Sequence, residues 1–306
     1  MRRMVIPSVR GYLRYAPGVL GKQTLWRVVL MHFLGLEPPT WDFTVRTIFG
    51  SKISANTRDA VGRYIFYFGV WEPNLTRWIR HRLLPGDAFI DVGANIGYYS
   101  LLAAHLVGDS GKVVAVEGLP AIFSLLQRNL ETNKTRNVRA VNAAAWDRKQ
   151  MIEFYTDSDL PGQTTAIPFW ADKHELKEQT QVTAVPLTDI LTAEEMKVTR
   201  LIKIDVEGAE WRVLAGMKSL LASSRDDLEI IVEISPSALE AEGRKAQDLM
   251  DLFGILGFNA YHIENDYSVN SYLNGRYGSR PSRVQRLPAG SEQSDIIFSR
   301  IDADFL

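Results

Sequence analysis

Apolar and polar positions follow two rhythms along this chain of 306 residues, and the change between them outlines its architecture. Phe43, Val45, Thr47 and Phe49 alternate as on a half-buried strand, and Gly50-Ser51 turns the chain toward a partner strand near Ile53. Val61, Ile65 and Phe68 then recur at helical spacing, closed by Gly69. From residue 87 onward short apolar runs alternate with helical patterns. Ala88–Val92, Lys112–Glu117, Val138–Ala143, Leu201–Val206, Glu229–Ile234 and Phe258–Ile263 read as strands, and Asp295–Ser299 as the last one. Helices are expected over Tyr98–Val107, after Pro120 with Ile122, Leu125, Leu126 and Leu130 on one face, and over Leu239–Leu256. Two further strand-like pieces, Met151–Tyr155 and Val182–Leu187, bracket a polar stretch. This order predicts an α/β fold: a doubly wound, mostly parallel sheet with helices on both faces. A small α/β extension of hairpin and helices covers residues 1–80 as a cap. The main domain covers 81–306, with insertions at 158–181 and 264–294.

Ligands of such sheets sit at the carboxyl ends of the strands, where the strand order reverses. Asp91-Val92-Gly93-Ala94-Asn95-Ile96-Gly97 ends the first strand and enters a helix, as in a nucleoside-cofactor site. A dinucleotide turn needs a glycine two residues after Gly93, where Asn95 stands, and Asp91 would place a negative charge beside the phosphates. S-adenosylmethionine (SAM) has no phosphates and carries a sulfonium and an ammonium, which suits this turn better. Glu117, ending the second strand twenty residues after Gly97, is placed to accept both hydroxyls of a ribose. Asn142-Ala143-Ala144 ends the third strand, where small residues leave room for a flat ring and an amide can read an adenine edge.

A second cluster is Lys203-Ile204-Asp205-Val206-Glu207, in which the three charges alternate and share one face if the strand runs that far. Charges on a central strand are costly unless paired or at its end, so their expected place is the active-site rim; the alternative is a structural ion pair. Glu233, ending the fifth strand, would join them. Asp205 is the first candidate general base, Glu207 and Glu233 the next, and Lys203 a stabiliser of developing negative charge. His262 lies near the same rim, either as a base or as a structural histidine. Asp205, Glu207 and Glu233 are also the right ligand type for magnesium, but no dedicated cage is present and no metal is expected.

These segments together resemble the FkbM family of SAM-dependent methyltransferases. The resemblance rests on Phe89 through Ser100, Val116-Glu117, Asn142-Ala143-Ala144, Ile202 through Glu210, and the upstream Gly69-Val70-Trp71-Glu72-Pro73. It implies a seven-stranded class I methyltransferase sheet with the last strand antiparallel, and O-methylation of a sugar, glycan or natural-product hydroxyl. Carried onto this chain, it implies cofactor contacts from Glu72, Asp91, Gly93, Ala94, Asn95, Gly97, Tyr98, Glu117, Gly118, Asn142, Ala143, Ala144 and Asp205. Gly118 stands where the family often has proline. A non-catalytic SAM-binding protein, and a methyltransferase acting on protein or RNA, remain as alternatives.

Composition narrows this further. Cysteine is absent, which excludes disulfides and thiolate chemistry and fits a reducing, cytoplasmic setting. A net charge of −1 gives no general pull toward nucleic acid, and no apolar run reaches the roughly 18–20 residues that span a bilayer. Six basic and no acidic residues precede Glu37, consistent with a helix packed on the main domain or with weak peripheral membrane contact. Arg276, Arg280, Arg283 and Arg286 stand among Tyr267, Tyr272 and Tyr277, a composition that suits a glycosidic or anionic small-molecule acceptor, or simply a solvated loop.

Overall fold

The alternation near residue 43 folds as a hairpin, in which β1 (Asp42–Arg46) pairs antiparallel with β2 (Lys52–Asn56) and Val45 faces Ile53. In the computed structural model the described residues are 2–16, 21–27, 41–157, 160–173, 175–221, 224–265, 269–273, 284–288 and 295–306. The hairpin leads into helix Ala60–Phe68. Asp59 caps its start by accepting the Gly62 amide, and Gly69 ends it in the left-handed conformation that glycine adopts without strain. Helix Pro73–Arg82 follows, which periodicity did not single out; it buries Leu75, Trp78 and Ile79.

β3 (Ala88–Val92) is buried at every position, and β4 (Lys112–Glu117) at all but its first, because helices cover both faces. β5 (Val138–Asn142) completes one flank. Next comes a separate four-stranded sheet: β6 (Ala144–Ala145), β7 (Gln150–Asp157), β8 (Leu160–Thr165) and β9 (Glu178–Val185), in the order β6-β9-β7-β8. The two strand-like pieces expected here are thus parts of one sheet. Its β8 and the helix Pro168–Lys173 occupy much of the segment read as a polar insertion.

The main sheet resumes with β10 (Thr199–Ile204) and β11 (Glu229–Glu233), then β12 (Asn259–Ile263), β13 (Val284–Arg286) and β14 (Asp295–Ser299). Its order is β13-β12-β14-β11-β10-β3-β4-β5, with β5, β4, β3, β10 and β11 parallel and β14 antiparallel to β11. The antiparallel last strand is therefore present, but among the described residues the sheet has eight strands rather than seven. The additional one, β13, lies antiparallel on the edge of β12. The helix expected over 239–256 is two helices, Pro236–Ala241 and Ala246–Ile255, separated at Gly243, which sits at φ 69°.

One apolar cluster joins the extension to a face of the sheet through Ile65, Phe68, Trp78, Leu101 and Phe89; another fills the opposite face around Ile90, Val213, Met217 and Phe253. The order of successive strands reverses at the parallel neighbours β3 and β10, so the switch point predicted to hold the ligand lies where Asp91 stands beside Lys203.

Candidate active site

At the carboxyl end of β3 the chain must turn sharply and pass close to the end of β10, and glycine alone permits both. Gly93 has φ 81°, and a Cβ there would lie 1.8 Å from the carbonyl oxygen of Asp205. Asn95 also adopts a left-handed conformation, with its backbone amide donating to Glu117 Oε2 at 2.9 Å. Glu117 Oε1 accepts the Leu119 amide at 2.9 Å, so each carboxylate oxygen keeps a lone pair for another hydroxyl. Burial pushes Glu117 up to about 7, with the two amides and the acidic surroundings acting against and with it.

β10 ends at Ile204, earlier than the sequence suggests, and this corrects the picture of three charges alternating along a strand. The Asp205 amide continues the ladder by donating to Val92 O at 3.0 Å; Glu207 and Gly208, both at positive φ, then turn the chain away. Asp205 and Glu207 are loop residues, yet Lys203, Asp205, Glu207 and Glu233 still converge on one groove. Lys203 Nζ donates to Asp205 Oδ2 at 2.7 Å and lies 4.9 Å from the centre of the Tyr99 ring. Burial alone would lower this lysine. Asp205, Glu72, Asp91 and Glu233 outweigh it and hold the ammonium charged well above its ordinary range. The structural ion pair and the rim position, set as alternatives, are both present in one group.

Two grooves meet here. The first, about 600 Å³, is lined by Gly93, Asn95, Glu117, Gly118, Ala143–Trp146 and, from the second sheet, Phe154 and Thr164. The second, about 550 Å³, is lined by Val61, Trp71, Glu72, Ala94, Tyr98, Tyr99, Lys203 and Glu233. Gly93, Asn95, Asp205 and Glu207 line both. Glu72 is buried in the left-handed region at φ 42°, and its carboxylate accepts from the Tyr99 hydroxyl and from Asn265 Nδ2 at 2.7 Å. Glu233 is raised well above its ordinary value, by Asp205 first and then by burial. Glu207 stands exposed at the mouth, raised by the protein crowding it and by Asp205 and Glu210.

Not every expected residue reaches a groove. Asp91 lies beneath the floor, 1% exposed, accepting from Ser100 Oγ at 2.6 Å and facing Lys203. Gly97 is turned toward helix Pro120–Thr132, where a Cβ would meet Leu126 at 2.5 Å. The Asn142 amide donates to the carbonyls of Glu117 and Gly118 at 2.9 and 3.0 Å, fastening the strand ends together outside both linings. His262 Nδ1 lies 3.3 Å from the Asp295 carbonyl and lines neither groove. Tyr272, one of the tyrosines whose surroundings suit a glycosidic acceptor or a solvated loop, is instead 1% exposed between Tyr64 and Phe68, and its hydroxyl accepts the Glu72 amide at 3.2 Å. Tyr267, Tyr277, Arg276, Arg280 and Arg283 lie outside the described residues; Arg286 pairs with Asp302. Among the described residues the carboxylates that approach one another most like metal ligands are Glu72, Glu233 and Asp295, not the three singled out from sequence, and the Asn265 amide serves both Glu72 and Asp295. Phe154, Trp146, Trp71 and Tyr99 are lining residues that sequence reasoning does not name as contacts: Tyr99 adjoins Tyr98, Trp71 adjoins Glu72 and Trp146 ends the segment that begins at Asn142, while Phe154 carries no local signal.

A glycine turn at the switch point, a carboxylate ending the next strand with a lone pair left on each oxygen, and an acidic groove beside it are the arrangement of a nucleoside-cofactor-binding α/β protein. Residues 91–261 match the model described as "Methyltransferase FkbM domain". That is more than half of the chain, and the protein belongs to this family, whose methyl-bearing cofactor is SAM. The sequence is 30% identical over 168 residues to 31-O-demethyl-FK506 methyltransferase FkbM of Streptomyces tacrolimicus, covering 46% of this chain and 64% of the relative. It is 32% identical over 153 residues to Methyltransferase 1 of Beauveria bassiana, covering 44% and 59%. The match thus spans less than two thirds of either relative. The solved methyltransferase FkbM from Methylobacillus flagellatus KT superposes at a TM-score of 0.43 with 16% identity, over 97% of this chain and 59% of that one. The residues present fit SAM: the Glu117 oxygens each keep a lone pair toward the groove, the small Ala143, Ala144 and Gly118 line it where a flat ring needs room, and carboxylates suit its two cationic groups.

Proposed function

We propose that the protein O-methylates a hydroxyl group of a sugar, glycan or small natural product, with SAM held in the first groove and the acceptor in the second. The observation that carries this reading is the shared wall. Gly93, Asn95, Asp205 and Glu207 border both grooves, so a group bound in one is handed to the other at a rim of carboxylates. The relative from Streptomyces tacrolimicus, named for O-methylation of a natural product, supports the same chemistry.

SAM supplies a methyl group already activated by its sulfonium; the protein has to orient an acceptor oxygen and remove its proton. Glu117 takes the ribose hydroxyls and Ala143, Ala144 and Gly118 give the flat ring its space. Asp205 and Glu207 stand at the shared wall as the bases within reach of an acceptor, and Glu233 lies behind them. Lys203, fixed by Asp205 and the Tyr99 ring, supplies the positive charge that holds an acceptor oxygen. Trp71 and Tyr98 offer flat apolar faces to a sugar ring or macrocycle.

The test incubates the protein and its Asp205→Ala variant with SAM carrying a labelled methyl group and a fractionated extract of the host. The wild type should label a small, alkali-stable ether, and the variant should lose at least a hundredfold in labelling while still binding SAM. SAM binding without labelling of any fraction would overturn the reading in favour of a non-catalytic binder; label in protein or RNA would move the acceptor to a macromolecule.

A further inference from the structure

Asn129 is fully buried on helix Pro120–Thr132 and uses its amide in three directions. Its Oδ1 accepts the Ser54 amide at 2.8 Å, and its Nδ2 donates to the Ser54 carbonyl at 3.1 Å and to the Ile96 carbonyl at 2.9 Å. One helical turn later Asn133 repeats the first half of this pattern on Lys52, accepting its amide at 2.8 Å and donating to its carbonyl at 2.7 Å. The spacings match: four helical residues advance about 6 Å and two strand residues about 6.6 Å, so the two side-chain amides stand in for a neighbouring strand along the outer edge of β2.

The third bond is where the two differ: Asn133 Nδ2 donates back to the Asn129 carbonyl of its own chain segment at 2.7 Å, whereas Asn129 reaches the Ile96 carbonyl. Ile96 lies in the glycine turn itself, between Asn95, whose amide rests on Glu117, and Gly97 at φ 88°. The Ile96 amide is held by Asn95 Oδ1 at 2.7 Å and its carbonyl by Asn129, so the turn is fixed from within and from behind. Leu126, one turn earlier on the same helix, fills the space that only a glycine at 97 leaves open.

We propose that Asn129 is a positioning residue that locks the SAM-binding turn to the β1–β2 hairpin, making the hairpin part of the cofactor-binding unit although it lines neither groove. The Ile96 bond fixes the left-handed peptides that aim Asn95 at Glu117, and the Ser54 bonds pass any shift of that turn to β2. The proposal rests on the reading of the first groove as the SAM site.

Its test compares SAM affinity, by calorimetry, in the wild type, Asn129→Leu and Asn133→Ala. Both variants lose hairpin contacts and should melt at lower temperature. Asn129→Leu should weaken SAM at least tenfold, and Asn133→Ala should leave it within twofold. Wild-type affinity in Asn129→Leu, or equal weakening in both, would overturn the proposal. Should Asn129→Leu not fold, hydrogen exchange in the wild type decides: SAM should slow exchange across residues 52–56 at least threefold, and unchanged exchange there would refute the coupling. A wild type that binds no SAM would instead remove the underlying assignment of the groove.

Discussion

If Glu117 holds the ribose as proposed, this one buried carboxylate ties cofactor binding to pH. Its ordinary value is 4.5 and burial raises it to about 7, so in the free protein it is largely protonated on the acid side of neutrality. A carboxyl raised in the folded state contributes stability that is complete below its ordinary value and lost as pH climbs through the raised one. Unfolding free energy should therefore fall between pH 4.5 and 7 by up to about 1.4 kcal/mol per pH unit from this group. Glu210, also raised to about 7 by burial, adds a second slope of the same sign. Ribose hydroxyls prefer the ionised carboxylate, so SAM binding runs the other way, tightening up to about tenfold per unit toward pH 7 and levelling above it. In Glu117→Gln the affinity should be weaker and nearly flat with pH. Urea titrations and calorimetry at pH 5.5, 6.5 and 8 check both slopes, and a wild-type affinity that falls across this range would contradict the assignment.

At the scale of elements, the N-terminal helix Arg2–Tyr15 is tied to helix Ala60–Phe68 by the Arg14 side chain, beside the buried Leu13 and the Arg10 guanidinium over the Phe66 ring. The Arg14 guanidinium donates to the carbonyls of Ile65, Phe66 and Tyr67 and to that of Arg46, at 2.7–3.1 Å; Phe66 and Tyr67 are among the carbonyls that the helix end leaves open, while Ile65 also accepts the Gly69 amide. Gly69 gives the guanidinium room, since a Cβ there would lie 3.1 Å from it. Part of the basic run that sequence alone linked to a membrane surface is thus turned inward, with Lys22 also buried. Arg14→Met keeps the apolar stem and removes the donors. It should lower stability by about 1–3 kcal/mol and speed proteolysis before residue 41, both measurable on the full chain, while SAM affinity stays unchanged. Sequence periodicity reveals elements held by their own local pattern: β3, β4, β14, the hairpin and helix Ala60–Phe68. It reveals the turn Gly93–Gly97 because cramped backbone leaves its mark as glycine. It cannot reveal Phe154 over Gly118, Asn129 behind Ile96 or Tyr272 beneath Glu72. These contacts join segments distant in the chain, and each residue alone is compatible with an ordinary surface or core. The end of β10 was misplaced for a related reason: Val206 continues the apolar alternation, while the turn is set by Glu207 and Gly208.

Across the whole molecule the two grooves draw on different parts of the chain. The first takes its lining from the parallel sheet and the four-stranded sheet, with no residue before Gly93; the second adds Val61, Trp71 and Glu72 from the segment that precedes β3. With SAM in the first groove and the acceptor in the second, as proposed, the two recognitions should be separable by mutation, in spite of the shared wall. Trp71 is the strongest probe because it is half-buried, packs on Tyr64 with ring centres 5.8 Å apart, and holds no charge whose loss would disturb the carboxylates. Trp71→Ala removes an apolar face worth roughly 1–3 kcal/mol to a bound ring. It should reduce labelling of the acceptor at least tenfold and change SAM affinity by less than twofold. The opposite pattern, SAM weakened and labelling lost only in proportion, would mean that the second groove holds part of the cofactor and that the acceptor approaches from elsewhere.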